Sequence, residues 1–313
     1  MPETIALATP AGTLKLRRAQ PLSLHTTFRI GGPAEVLVRV ANADEALAAL
    51  AWAEREGLPV TAIGGGSNLL VGDGGVRGLV LLVRAPGKDV AGSYRVEELG
   101  EGVRLTVPAQ APISWLGHLS ARHGWQGMDW AAGLPGVVGG AVVNNAGAHG
   151  GETQDHLESI EVLDQARGVV ETWPRERLEP AYRHTVLKAA PRPRRWLVLG
   201  ATFRLPHGDA AELTARAEEH ARWRRRAQPT GACAGSVFTN PEGTYAGYLI
   251  DQAGLKGRQV GGVKVSELHG NFLVNTGRGT AAEVRELIAQ VQAEVRRQFG
   301  IALVPEIEQI GDE

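Results

Sequence analysis

The chain has 313 residues, a formal net charge of −1, 43% hydrophobic and 21% charged residues, the composition of a packed protein with room for two or three modules of roughly 100–200 residues each. This excludes a chain dominated by disorder, and the balanced charge provides no global field toward nucleic acid or an anionic membrane. Its single cysteine, Cys233, excludes an internal disulfide; no apolar stretch reaches the roughly 20 residues of a membrane span, and MPETIALATPAGTLKLRR lacks a signal-peptide pattern, so a cytoplasmic location is expected.

In chain order, AEVLVRV (34–40) alternates as a strand does. Asn42 and Glu45 have capping-box spacing and predict a short helix over 46–56, closed by Gly57. A second strand, 58–63, runs into Gly64-Gly65-Gly66-Ser67-Asn68, and further strands are expected at 76–83 and 101–109. Pro112 opens a helix to about His123, since proline fits the first helical turn. After the glycine-rich 131–152 come strands at 159–164 and 195–205, then a helix from Asp209 and Glu212 through about Arg226. The last third carries GSVFTNP (235–241), a helix or turn near 244–253 and the strand-like HGNFLVN (269–275). Thr280 and Glu283 cap a final amphipathic helix on which Val284, Leu287, Ile288, Val291 and Val295 recur three or four apart. Boundaries are expected near 75–80 and near 208.

Neither glycine cluster has the strand–G-x-G-x-x-G–helix context of a dinucleotide fingerprint. Gly64-Gly65-Gly66-Ser67-Asn68 is followed by Leu69-Leu70-Val71 and further glycines, without room for a helix. Gly133-Leu134-Pro135-Gly136-Val137-Val138-Gly139-Gly140 places glycines three apart around a proline. Both are tight turns at the least. Both also have the composition of backbone pockets for phosphate, because glycine lets successive N–H groups approach an anion. Two such nests suit one extended, pyrophosphate-containing ligand.

Several stretches in register resemble the UDP-N-acetylenolpyruvoylglucosamine reductase family. They are Thr26-Thr27-Phe28-Arg29-Ile30-Gly31-Gly32-Pro33-Ala34, the two glycine clusters, Asn145-Ala146-Gly147-Ala148-His149-Gly150, Tyr182-Arg183, Gly235-Ser236-Val237-Phe238-Thr239-Asn240-Pro241, Val265-Ser266 with His269 to Asn275, and Pro305-Glu306-Ile307. The resemblance covers about 20–311. It implies an α+β fold of the vanillyl-alcohol-oxidase or p-cresol-methylhydroxylase type, with two FAD-binding subdomains (1–78 and 79–208), a substrate domain (209–300) and a C-terminal segment (301–313) carrying a catalytic glutamate. The short route from Tyr182-Arg183 to Ser236 is similar to the family's shorter variant, which lacks an inserted substrate-capping loop.

The implied reaction passes hydride from NADPH through non-covalently bound FAD to the enolpyruvyl double bond of UDP-N-acetylglucosamine enolpyruvate, forming UDP-N-acetylmuramate for peptidoglycan. Such chemistry needs a cation on the substrate carboxylate, an acid stabilising it as charge spreads, and a proton donor. By resemblance these are Arg183, Glu306 and Ser236. From the residues alone, Ser236 reads as a turn serine, Arg183 as a surface arginine and Glu306 as a solvated carboxylate, although apolar neighbours in Val304-Pro305-Glu306-Ile307 are expected to desolvate the last. The implied cofactor-binding set is Arg29, Gly64, Gly65, Gly66, Ser67, Asn68, Gly133, Gly136, Gly139, Gly140, Asn145 and Gly147. Tyr182, Asn240, Lys264 and Asn275 are candidates for ordering the UDP-sugar or the active-site face. His149, Thr185 and Leu187 depart from the family pattern.

Other readings weigh less. The nine histidines include no H-E-x-x-H, so no metal is expected. Arg222-Trp223-Arg224-Arg225-Arg226 ends a predicted helix, where cations suit the dipole, rather than marking a nucleic-acid site. A redox-incompetent flavoprotein, or an FAD oxidase acting on an alcohol or lactone, are the alternatives. A monomer is expected.

Overall fold

A computed structural model of the chain describes residues 4–9, 12–83 and 94–313. Its first elements are β1 (Thr4–Thr9), β2 (Gly12–Pro21), β3 (Pro33–Val40), α1 (Ala43–Arg55), β4 (Val60–Ile63), β5 (Leu69–Val71), β6 (Val76–Val83), β7 (Arg95–Glu98), β8 (Gly102–Pro108), α2 (Ile113–Arg122), α3 (Val138–Asn144), β9 (Gly147–Ala148) and β10 (Gly151–Glu152). There follow β11 (Leu157–Asp164), β12 (Val169–Pro174), α4 (Val186–Ala189), β13 (Trp196–Pro206), α5 (Ala210–Ala227), α6 (Ala246–Gln252), β14 (Gln259–Val260), β15 (Val263–Val265), β16 (Leu273–Asn275), α7 (Ala281–Phe299) and β17 (Glu308–Ile310). The content is α+β, as the sequence predicts. Two compact units divide it, each assembled from three separate stretches of chain.

The first unit collects the described residues of Met1–Arg18, Val36–Gly65 and Gly78–Trp223. It is built on two five-stranded sheets, ordered β1-β2-β3-β6-β4 and β12-β11-β13-β8-β7. In the second sheet, Ala201, Phe203 and Leu205 face Val107, Leu105 and Val103 across the β13–β8 register. All six are buried, because a period of two sends alternate side chains to one face. Asn42 caps α1, its Oδ1 accepting the Glu45 N–H at 2.9 Å. The helix starts at Ala43, three residues before the predicted start, and Glu45 returns its carboxylate to the Ala41 N–H rather than to the cap residue. Pro112 stands as the N-cap of α2 with extended backbone, one position outside the predicted first turn.

The second unit comprises Ala19–Glu35, Gly66–Arg77 and Arg224–Glu313. Its core sets Val284, Leu287, Ile288, Val291 and Val295 of α7 with Phe28, Ile30, Leu70, Val263 and Val265. The α7 capping box is complete: the Glu283 N–H donates to Thr280 Oγ1 at 3.2 Å, and the Thr280 N–H to Glu283 Oε2 at 3.0 Å. Strand β17 pairs in parallel with β5, Glu308 opposite Leu69, so the chain's last segment is laid beside the residues that follow Asn68. The strand predicted over 269–275 is confined to 273–275. Upstream of it the Asn271 side chain replaces a ladder, accepting the Phe238 N–H at 2.9 Å and donating to the Phe238 carbonyl at 2.8 Å.

Candidate active site

In the first unit the two glycine clusters are one surface. A Cβ placed on Gly65 would lie 2.7 Å from the Gly136 Cα, closer than any side chain allows, and Gly136 itself has a φ of 106° that L-residues rarely adopt. Gly64 lies against Val137, Gly139 against Ala109, and Gly140 follows on α3. Gly133 also has positive φ. The glycines are required by this close packing of backbone on backbone, and the Gly133 and Gly139 N–H groups are spent within it, on Ser114 Oγ and on the Ala109 carbonyl, each at 2.8 Å.

Asn145 ends α3 in a left-handed conformation and is 1% exposed. Its Nδ2 donates to Glu152 Oε2 and to the Ala181 carbonyl, each at 2.9 Å, and its Oδ1 accepts the Gln154 N–H at 3.1 Å. Two donors and an acceptor are therefore engaged inside the protein, so the side chain serves the fold around Arg183 rather than presenting its amide to a cofactor. Arg183, with φ of 55°, donates from Nη2 to the Gly147 carbonyl at 2.8 Å and from Nη1 to the Asn145 carbonyl at 3.4 Å. Its guanidinium carbon lies 5.0 Å from the Tyr182 ring centroid, and Tyr182 is 48% exposed. The structure thus joins Asn145, Gly147, Tyr182 and Arg183 in one constellation.

The second unit assembles the other half of the predicted set. Gly66 is packed under the His25 carbonyl, and its own carbonyl accepts the Thr27 N–H at 3.0 Å. Thr27 Oγ1 donates to the Cys233 carbonyl at 2.7 Å, tying the segment before Arg29 to the approach to Ser236. Arg29 is exposed between buried Phe28 and Ile30, with φ of 54°. The Asn68 amide donates to the Glu306 carbonyl at 3.2 Å, while the Asn68 carbonyl accepts the Glu308 N–H at 3.0 Å. The Glu306 N–H donates to the Val237 carbonyl at 2.7 Å. Ser236, bridged to Phe272, and Glu306 are thus held on neighbouring strands of chain, with Ser67-Asn68 alongside. Both residues are half-buried. The predicted apolar enclosure of Glu306 is only partial: Ile307 is buried, but Val304 is 60% exposed, since an extended segment turns neighbouring side chains opposite ways.

Of the substrate candidates in this unit, Lys264 lines an open cavity of about 350 Å³ together with Arg225, Gln228 and Ser266. Its Nζ pairs with Glu267 at 3.1 Å. Asn240 Oδ1 accepts the Ala246 N–H at the start of α6, at 3.1 Å. Asn275 differs from the expectation. Its Nδ2 donates to the Phe28 and Arg29 carbonyls at 3.1 and 3.3 Å, and its Oδ1 accepts from the Gly277 and Gly279 N–H groups at 2.8 and 2.9 Å. That is the full capacity of an amide to donate and accept twice, so Asn275 braces the Arg29 segment instead of facing a sugar.

The comparisons with known proteins agree along the chain. Residues 34–173 match an FAD binding domain, and residues 228–310 match the C-terminal domain of UDP-N-acetylenolpyruvoylglucosamine reductase. Proteins of that name from Synechococcus sp. (strain WH7803) and Parasynechococcus marenigrum are 43% and 44% identical, over 95% of this chain and 94% and 97% of theirs. The crystal structure of the reductase from Thermus caldophilus superposes with a TM-score of 0.75 at 32% identity, covering 99% of both chains. The chain belongs to the UDP-N-acetylenolpyruvoylglucosamine reductase family. It is an FAD-dependent oxidoreductase of α+β fold.

Within that reductase family pattern, the three departures have structural work here. The His149 ring stacks on His220 with centroids 4.1 Å apart, and Trp223 meets it edge-on at 5.1 Å. Thr185 caps α4 and donates to the Val143 carbonyl at 2.6 Å, and Leu187 is buried in the core. The single thiol, Cys233, is pushed above its ordinary pKa by burial, which suits an inert side chain. Sequence reasoning did not find Thr27 or Glu152 as organisers of these loops: Thr27 bonds to Cys233 far along the chain, and no local pattern marks Glu152 as the partner of Asn145.

Proposed function

We propose that this chain reduces the enolpyruvyl double bond of UDP-N-acetylglucosamine enolpyruvate to give UDP-N-acetylmuramate, with NADPH as hydride donor, in the cytoplasmic synthesis of peptidoglycan precursors. The observation that carries the reading is the backbone hydrogen bond from Glu306 to Val237, which with that from Thr239 to Val304 sets the glutamate beside the Ser236 strand. Bound FAD supplies the relay of hydride between donor and substrate. By the family resemblance, Gly64, Gly65, Gly133, Gly136, Gly139 and Gly140, with Arg29, Gly66, Ser67 and Asn68, are the residues that would hold it.

Arg183 receives the substrate carboxylate, its guanidinium already oriented by two carbonyls, and a guanidinium keeps its charge at any working pH. Glu306 hydrogen-bonds the same group as charge spreads onto it. Ser236 delivers the proton that quenches the developing carbanion. Lys264, with Arg225 from the same cavity, and Tyr182 and Asn240 order the UDP portion. The protein acts as a monomer.

The test is an anaerobic visible spectrum of the purified holoenzyme. NADPH should bleach the flavin band, and UDP-N-acetylglucosamine enolpyruvate should restore it promptly. A flavin that bleaches yet stays reduced refutes the acceptor. A flavin that NADPH does not bleach, but an alcohol or lactone does, assigns an oxidase instead.

A further inference from the structure

The predicted catalytic arginine is contacted at both ends by Asn145, which shares the guanidinium end with the closer Gly147 carbonyl. Its backbone end is the turn 181–184, in which Ala181 and His184 exchange N–H···O bonds at 3.1 and 3.0 Å and Arg183 takes its left-handed φ. The Asn145 Nδ2 grips the Ala181 carbonyl at the head of that turn. Its guanidinium end rests on the carbonyls of Asn145 and Gly147. Asn145 is in turn fixed by the Glu152 carboxylate and the Gln154 N–H, and Gln154 Nε2 donates to the same Glu152 oxygen at 2.8 Å.

We propose that Asn145 is the positioning residue for Arg183, its buried amide and its carbonyl together setting where the guanidinium meets the substrate carboxylate. The inference rests on the reading of Arg183 given above. Asparagine is the residue type the position requires: it tolerates a left-handed backbone and carries two N–H donors beside an acceptor. Aspartate tolerates the same backbone and keeps the bond from Gln154, but it has no N–H to give. It would set a carboxylate against the Glu152 carboxylate and the Ala181 carbonyl.

The test is Asn145→Asp in the FAD-loaded enzyme, with the two half-reactions followed separately by anaerobic stopped flow. FAD content and flavin reduction by NADPH should stay within about threefold of wild type. Reoxidation by UDP-N-acetylglucosamine enolpyruvate should slow by about 10- to 100-fold, the scale of a buried hydrogen bond replaced by an unmatched polar group. Lowering the pH from 8 to 6 should recover part of that loss in the variant alone, because apposed carboxylates raise one pKa and come to share a proton.

Loss of FAD from Asn145→Asp, wild-type reoxidation, or equal damage to both half-reactions each overturns the proposal. Arg183→Ala run alongside separates the two readings. If it reoxidises normally, the role of Arg183 falls; if it is slow while Asn145→Asp is fast, only the positioning role falls. Should Asn145→Asp fail to fold, Glu152→Ala removes the acceptor behind the amide, together with that carboxylate's bonds from Gln154 Nε2 and the Asp155 N–H, and should show the same split at about three- to tenfold; normal reoxidation there overturns the inference.

Discussion

At the scale of single residues, the chemistry turns on groups whose identity means little outside their context. A serine hydroxyl is a poor acid in water, so the role proposed for Ser236 depends on the environment that holds it, beside the Glu306 segment and bridged to Phe272. Ser236→Ala should leave flavin reduction by NADPH intact and slow the substrate half-reaction by roughly 10²- to 10⁴-fold, the usual range for a general acid. Equal slowing of both halves would remove the assignment. Glu306→Gln should impair the same half while sparing FAD content, because the bonds from Asn68 and to Val237 run through the Glu306 backbone. The roles proposed for Ser236 and Glu306 come only from the surrounding motifs; nothing in Val304-Pro305-Glu306-Ile307 alone separates a catalytic from a solvated carboxylate. The same limit explains Asn145 and Asn275. Each sits in a motif that pointed to a ligand, yet each commits an amide N–H to a backbone carbonyl far along the chain, a partnership that no local pattern records.

At the scale of elements, periodicity and caps were legible where the signal was local. The apolar stripe of α7 and its Thr280–Glu283 box predict a helix that the structure contains, as does the Asp209–Glu212 spacing for α5, where Asp209 Oδ1 accepts the Ala211 and Glu212 N–H groups. Helix α3 was not legible, because Gly139 and Gly140 are poor helix formers and tertiary packing of Val138, Ala141 and Val142 overrides their preference. The β1–β2 hairpin escaped for a related reason: β1 is a half-exposed edge strand with little apolar face to betray it. A distant cap on α7 is equally invisible in sequence. The Asp73 carboxylate accepts the Ala281 and Ala282 N–H groups at 2.8 and 3.0 Å, meeting two of the unpaired donors at a helix start and the positive end of its dipole. Asp73→Ala should therefore lower stability by about 1–2 kcal/mol, read as a shift of the urea midpoint at unchanged slope. Thr280 remains as a local cap in that variant, so an unshifted midpoint would mean that the local box alone holds the helix.

At the scale of the whole molecule, stability depends on ion pairs that acid removes. Asp164 has a fully buried side chain gripped by Arg195, whose Nε donates to Oδ1 at 2.8 Å, and it also accepts the Ala166 and Arg167 N–H groups. The Arg195 hydrogen bond, with the backbone donors assisting against burial, holds its carboxyl down to about 2. On the exposed face of α7, Arg297 and Gln298 do the same for Glu294, also to about 2. A carboxylate whose folded pKa lies below its unfolded value stabilises the native state fully above the unfolded pKa of roughly 4, and that contribution drains away as pH falls toward the folded value. Urea midpoints should therefore be flat in these contributions from pH 8 to 5 and fall between about pH 4 and 2. Asp164→Asn leaves the Arg195 guanidinium without its counter-charge, so the variant should be less stable at pH 7, and its deficit relative to wild type should shrink as both are taken through pH 4 to 2. Glu294→Gln should show the same convergence with a smaller deficit at neutral pH, because its pair is solvent-screened. A deficit for Asp164→Asn that stays constant down to pH 2 would show that packing around the β11 terminus, not the charge on Asp164, accounts for the loss.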